Sequence, residues 1–244
     1  MRLKMISCEV FAREGNYCAS LSPHIVDIEF TEKDAHDHSP TLRQLIQDKI
    51  DAVDQSETPY DAVLLGYGLC GNSILGLQAR SVPLVVPRAH DCCTVCLGSR
   101  KRFEQEFRDN PSTPFSSSGY LERGGSYLRE PTLEDLAGTG DTYGEYVEKY
   151  GEENARYIME AMTVSHGDNR LVYIDVPEFS HLGYAEECRK RAEADGREFV
   201  LLPGDIRLIR MLTAGEWDDE EFQVVEPGQT IVATYDWDRI VGSE

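Results

Sequence analysis

Two apolar, β-prone runs follow one another closely, and each stops in a loop loaded with reactive side chains. The first is Tyr60-Asp-Ala-Val-Leu-Leu-Gly-Tyr-Gly-Leu-Cys-Gly-Asn72 and the second is Pro83-Leu-Val-Val-Pro-Arg-Ala-His-Asp-Cys92. Short buried runs bounded by glycine and proline and alternating with helical stretches are the mark of βαβ units and a parallel sheet. In such a sheet every strand delivers its C-terminal loop to one edge, where ligands bind. The pattern therefore sends Cys70, His90, Asp91 and Cys92 to one place.

The remainder of the chain extends the alternation. Residues 2–8 and 25–30 read as strands, and Ser39-Pro-Thr opens a helix with Leu42, Leu45, Ile46, Ile50 and Val53 on one face. Strands are expected at Asp61–Leu65 and Leu84–Val86, a helix at 73–80, and a longer helix from Asp91, as its cap, to Phe107. Residues 109–142 are rich in Pro, Ser, Gly and Thr and read as a loop or lid. A helix over Tyr143–Thr163, strand Leu171–Asp175, helix 183–195, strand Phe199–Leu202, helix Asp205–Thr213 and strand Phe222–Val225 make a second half. The expectation is an α/β protein of parallel-sheet, Rossmann-like βαβ layers, either two lobes or one sheet. Residues 1–108 carry the Cys/His site, 109–142 form the lid, and 143–244 form the second half.

Composition narrows the partners. Among 244 residues, 44 acidic against 24 basic side chains give a net charge of −20. A surface that grips nucleic acid or an anionic membrane needs clustered Lys and Arg, so neither partner is expected. The basic residues are 18 Arg and only 6 Lys, which fits either a salt-rich source or an ordinary acidic protein. No window is apolar for long enough to span a bilayer, and the N-terminus lacks the apolar core of a signal peptide, so a cytoplasmic protein is expected. Seven cysteines, at 8, 18, 70, 92, 93, 96 and 188, are an odd count without a secretion signal. That argues against a disulfide framework and for metal binding, thiol chemistry or plain burial.

Each reactive cluster has a plain structural alternative. Gly66, Tyr67, Gly68, Gly71 and Asn72 flank Cys70 in a turn that can offer backbone N–H groups to an anion, or can simply be tight. It is neither a dinucleotide fingerprint nor a P-loop. His90 can be a ligand or an acid/base, Asp91 its orienter or a helix cap, and Arg88 a clamp for a carboxylate or phosphate. Cys8 ends the first strand, so strands one, three and four side by side would gather Cys8, Cys70 and Cys92. Three thiolates there suit zinc with one open position or an iron–sulfur cluster. His36 and His38 precede the helix at Ser39 and can reach over the site, or only lead into the cap. Cys93 and Cys96, at C-x-x-C spacing without a second pair, read as packing, as do Cys18 and Cys188. His24, His166 and His181 read as structural or exposed.

Cys8, the His36-Asp-His-Ser-Pro40 region, Leu65–Asn72, Pro87–Cys92, Leu97-Gly-Ser99 and Pro227-Gly228 resemble the bacterial and archaeal family called domain of unknown function 1638. The resemblance covers nearly the whole chain. It implies that Cys8, His36 or His38, Cys70, Arg88, His90, Asp91 and Cys92 are the family positions, with Cys93 and Cys96 outside the pattern. Where the family carries a Gly-Thr-Tyr…Gly-Trp stretch, this chain has Gly119–Tyr127 without the tryptophan. The family supplies no established activity. Its members resemble companions of corrinoid methyltransferase systems, which implies one-carbon metabolism.

The residues and the resemblance together predict an enzyme with a thiolate-bound metal acting on a small anionic metabolite. Cys8, Cys70 and Cys92 are the expected ligands, with His90, Asp91, Arg88 and His38 doing the chemistry. The alternatives are a metal-free cysteine nucleophile and a non-catalytic cofactor-binding accessory protein.

Overall fold

A computed structural model describes residues 1–33, 39–69, 72–111, 113–123, 169–234, 236 and 239–244. The expected helix over 143–163 and the core of the lid lie outside the described residues. Strand β1 (Arg2–Cys8) alternates inward and outward until its last four residues, all buried, and pairs in parallel with β2 (Ile25–Thr31) and β3 (Ala62–Gly66). β4 (Leu84–Pro87) adds in parallel to β3. β3 and β4 are buried on both faces, as their unbroken apolar runs require. The order β2-β1-β3-β4 is the one that brings strands one, three and four together.

Helix α1 (Ala12–Leu21) connects β1 to β2, and α2 (Ser39–Val53) connects β2 to β3. On α2, Leu42, Ile46, Ile50 and Val53 are buried, whereas Leu45 is 40% exposed and does not belong to the inward face. The stretch 73–80, expected as helix, is a turn running into a bridge between Gln78 and Thr230. The helix expected from Asp91 to Phe107 is two: α3 (Cys92–Leu97) and α4 (Arg100–Phe107). Gly98 takes a left-handed turn between them, and the Ser99 hydroxyl accepts from Arg102 N–H to start the second.

A second sheet has the order β5-β6-β7, all parallel, from β5 (Phe115–Ser116), β6 (Arg170–Asp175) and β7 (Glu198–Pro203). It carries α5 (Ser118–Glu122) and α6 (Tyr184–Ala194), whereas α7 (Arg207–Ala214), which follows β7, packs on α1, β3 and β4 of the first sheet. β8 (Phe222–Val225), expected to complete this half, instead pairs antiparallel with β4 and closes the first sheet. The chain ends in a hairpin of β9 (Ile231–Ala233) and β10 (Val241–Ser243). One apolar core runs through residues of both sheets, from Leu3 and Leu64 to Val172 and Ile174. The protein is thus α/β with parallel βαβ layers. Among the described residues no helix is long and apolar enough to cross a membrane.

Candidate functional site

The strand order sets Cys8, Gly66 and Pro87 at the same edge of the first sheet, since all three strands run in one direction. The loop after β3 crosses onto the loop after β4. Leu69 N–H donates to Ala89 C=O at 2.8 Å, and a Cβ on Gly68 would lie 2.6 Å from the Asp91 backbone. Glycine is needed there because the two backbones touch. Tyr67, fully buried, hydrogen-bonds Thr31 at 2.7 Å, tying the loop after β3 to the end of β2 across the end of β1. Cys70 and Gly71 lie outside the described residues. Asn72 resumes the chain in the left-handed region (φ 67°), with its carbonyl taking a bond from Arg43 Nη2 at 2.8 Å. His36 and His38 also lie outside the described residues.

Cys8 and Cys92 are both fully buried and close enough to feel one another's charge. Burial pushes the Cys8 thiol up to about 12, and Cys92 adds to the rise. A bond from Val10 N–H and the Lys33 charge pull the other way. Asp91 caps α3: its Oδ1 accepts from Thr94 N–H at 3.0 Å and from Thr94 Oγ1 at 3.2 Å. Burial raises its pKa, against those bonds. His90 stacks on Phe103, with ring centroids 5.7 Å apart. Burial and the nearby Arg100 lower its pKa and favour the neutral ring, the form that ligates metals or accepts a proton.

Arg88, expected as an anion clamp, is 2% exposed and turned to the C-terminal segment. Its Nε donates to Asp219 O (3.0 Å), Nη1 to Arg239 O (2.9 Å) and Val241 O, and Nη2 to Asp219 Oδ1 (2.9 Å) and Gln223 Oε1 (2.8 Å). In this arrangement the guanidinium is a structural cross-link whose donors are already engaged. Cys93 and Cys96 are buried in α3 and their thiols are held well up by that burial.

Sequence reasoning missed what covers the site. The C-terminal edge of the second sheet abuts that of the first. β5 runs into Ser116, Ser117 and Ser118, all buried, and Ser117 hydrogen-bonds Cys96. A Cβ on Gly119 would fall onto the Val10 carbonyl oxygen, so α5 lies directly on the turn that follows Cys8. Asp205 N–H, in the loop after β7, donates to Cys96 C=O at 3.0 Å. Glu14, on α1, is buried against this seam. The available signals were the Ser-Ser-Ser-Gly run straight after an apolar residue, and Glu14 four residues before Cys18 on one helix face.

Among the described residues no three His, Cys, Asp or Glu side chains are grouped to hold a metal. Cys8 and Cys92 supply two thiols at one edge, and the loop that runs on to Cys70 is pinned beside Cys92.

The sequence model of a family described as "Protein of unknown function (DUF1638)" matches residues 30–213, more than half of the chain. The chain belongs to this family. The match spans Cys70, Arg88, His90, Asp91 and Cys92 as well as the seam residues Ser116–Ser118. Neither curated proteins nor solved structures gave a match.

Proposed function

We propose that this member of the DUF1638 family is a cytoplasmic enzyme whose Cys8, Cys70 and Cys92 bind a metal, either zinc or an iron–sulfur cluster. It acts on a small anionic metabolite in one-carbon metabolism, alongside a corrinoid methyltransferase system. The observation that carries the reading is the convergence of Cys8 and Cys92, with the loop leading to Cys70 bonded onto the loop leading to Cys92.

The donor set fits. Soft thiolates in a dry, enclosed position favour zinc and iron–sulfur centres over hard cations. Held by these three cysteines, such a centre would supply a Lewis acid for the substrate. His90, neutral and stacked on Phe103, holds or takes a proton beside it. Asp91 fixes the first turn of α3 and so the direction in which Cys92 leaves the helix. The glycine turn after β3 is our candidate source of backbone donors for an anion, apart from Leu69, whose N–H is already given to Ala89 C=O; Arg88 in its present bonds does not fill that role. His38 is the further candidate for acid/base work.

The test is elemental analysis with a visible spectrum on protein purified without oxygen, repeated on Cys8→Ser, Cys70→Ser and Cys92→Ser. We expect about one zinc per chain, or iron with sulfide, and its loss in each variant. Metal content untouched by all three changes would sink the reading. It would return the thiol nucleophile and the cofactor carrier to the front.

A further inference from the structure

The seam over the cysteines contains a buried carboxyl that its own backbone N–H and the Arg13 charge only partly stabilise. Glu14 is 3% exposed, and its Oε2 has no hydrogen-bond partner among the described residues. The same holds for the buried Oε2 of Glu178, which reaches the seam from the 3-10 turn Pro177–Leu182 after β6. Groups from three elements border Glu14. Cys96 comes from α3, Tyr173 from β6 and Cys18 from α1 itself, and each feels the Glu14 charge. From α7, Arg210 bears on Cys18. The cation next to Glu14 in sequence, Arg13, is bonded to Glu122 of α5, and Glu122 also accepts from Tyr184 of α6 at 3.0 Å. Glu14 therefore faces two acidic side chains from the other half, Glu178 and Glu122, and both oppose its ionisation.

We propose that Glu14 is a proton-operated latch on the seam between the two sheets. With the proton on, the edges stay closed over Cys8 and Cys92. With the proton off, a buried carboxylate faces Glu178 and Glu122, and the edges part. The two thiols are fully buried, so a metal or substrate that enters the folded protein needs an opening, and a parting of this seam supplies one. That consequence rests on the metal-site reading, whereas the latch itself does not.

The direction of the pH effect follows. Burial, first, and then Glu122 and Glu178 raise the Glu14 pKa from an ordinary 4.5 to about 7 in the closed seam. Closed protein holds the proton more tightly than open protein, so closure weakens as pH climbs from about 4.5 to about 7 and is flat above that. Over this window one proton changes the opening equilibrium by up to about tenfold per pH unit.

Hydrogen exchange on the full-length protein reads this directly. Rates at about pH 5, 6 and 7, divided by the intrinsic chemical rate, are compared for the segments Val10–Cys18 and Ser116–Glu122. Wild type should open several-fold to tenfold more per unit, while Glu14→Gln, which carries no charge, should be flat. Glu178→Gln should show a shallower rise and also covers the case in which Glu14→Gln does not fold. Equal slopes in wild type and the variants would overturn the latch. Metal content measured on the same samples separates the two readings: protein that holds no metal in wild type and variant alike, yet keeps the difference in exchange slope, sinks the metal site and leaves the latch standing.

Discussion

A guanidinium presents five N–H donors in a rigid fork and no acceptor, which suits it to gathering backbone carbonyls from several segments. Arg88 does this for Asp219, Arg239 and Val241, which follow it by 131 to 153 residues. Its partner carboxylate, Asp219, is largely exposed, so that ion pair adds little and the carbonyl bonds matter most. Arg88→Leu would take a donor from the buried Val241 carbonyl and from the part-buried carbonyls of Asp219 and Arg239, at a cost of about 1–3 kcal/mol. Denaturant unfolding should report that loss, and exchange in β10 should accelerate. Metal content should stay at the wild-type level, and Arg88→Lys should recover only part of the stability because one ammonium cannot span the acceptors. A substrate clamp would give the reverse pattern, with stability kept and ligand binding lost. From sequence, an arginine beside His-Asp-Cys reads as chemistry, because nothing local announces acceptors so far away. Asp91 was legible both as cap and as orienter, and the Thr94 bonds place it at the cap.

Elements that bury a whole face announce themselves, and those defined by long-range contact do not. β1, β3, β4 and β6, with α2, α6 and α7, stand close to their expected positions because apolar spacing alone decides them. The short α5 is different. Its place comes from Gly119 lying against the Val10 carbonyl, a contact between residues more than a hundred apart. The turn at 73–80 is likewise set by distant partners: Gly76 N–H donates to Ile231 C=O and Ala79 N–H to Gln229 C=O, at 2.9 Å each. A helix over those residues would have withheld its N–H groups from the C-terminal hairpin. Gly119→Ala tests how much α5 depends on this contact. The new methyl has no room, so the backbones must separate, with an expected cost of about 1–3 kcal/mol. Thermal unfolding should register the loss, and exchange of Ser118–Glu122 should rise more than that of β1. A variant with wild-type stability would mean that α5 can slide away without consequence.

At the scale of the whole molecule, the pairing of cysteine loops follows from strand order, which the alternation of elements implied. The facing of two sheet edges did not follow from it, since a second half can pack in many ways on a first. The net charge was open from the start, and its effect on stability is a competition between local attraction and overall repulsion. Local pairs such as Arg13–Glu122 and Lys4–Glu29 weaken with salt, each by a fraction of about 1 kcal/mol. Against them stands self-repulsion of a −20 chain, which acts over a Debye length of about 10 Å at 0.1 M salt and about 3 Å at 1 M. With 44 acidic groups against 24 basic ones, many carboxylates have no cation to lose, so repulsion outweighs the pairs. The melting temperature should therefore climb by several degrees between about 0.05 M and 1 M sodium chloride, with most of the gain early, where the Debye length shrinks fastest. Potassium chloride should act alike, because screening depends on ionic strength. A melting temperature that fell with salt would show that the specific ion pairs, and not the excess of charge, control the stability of this fold.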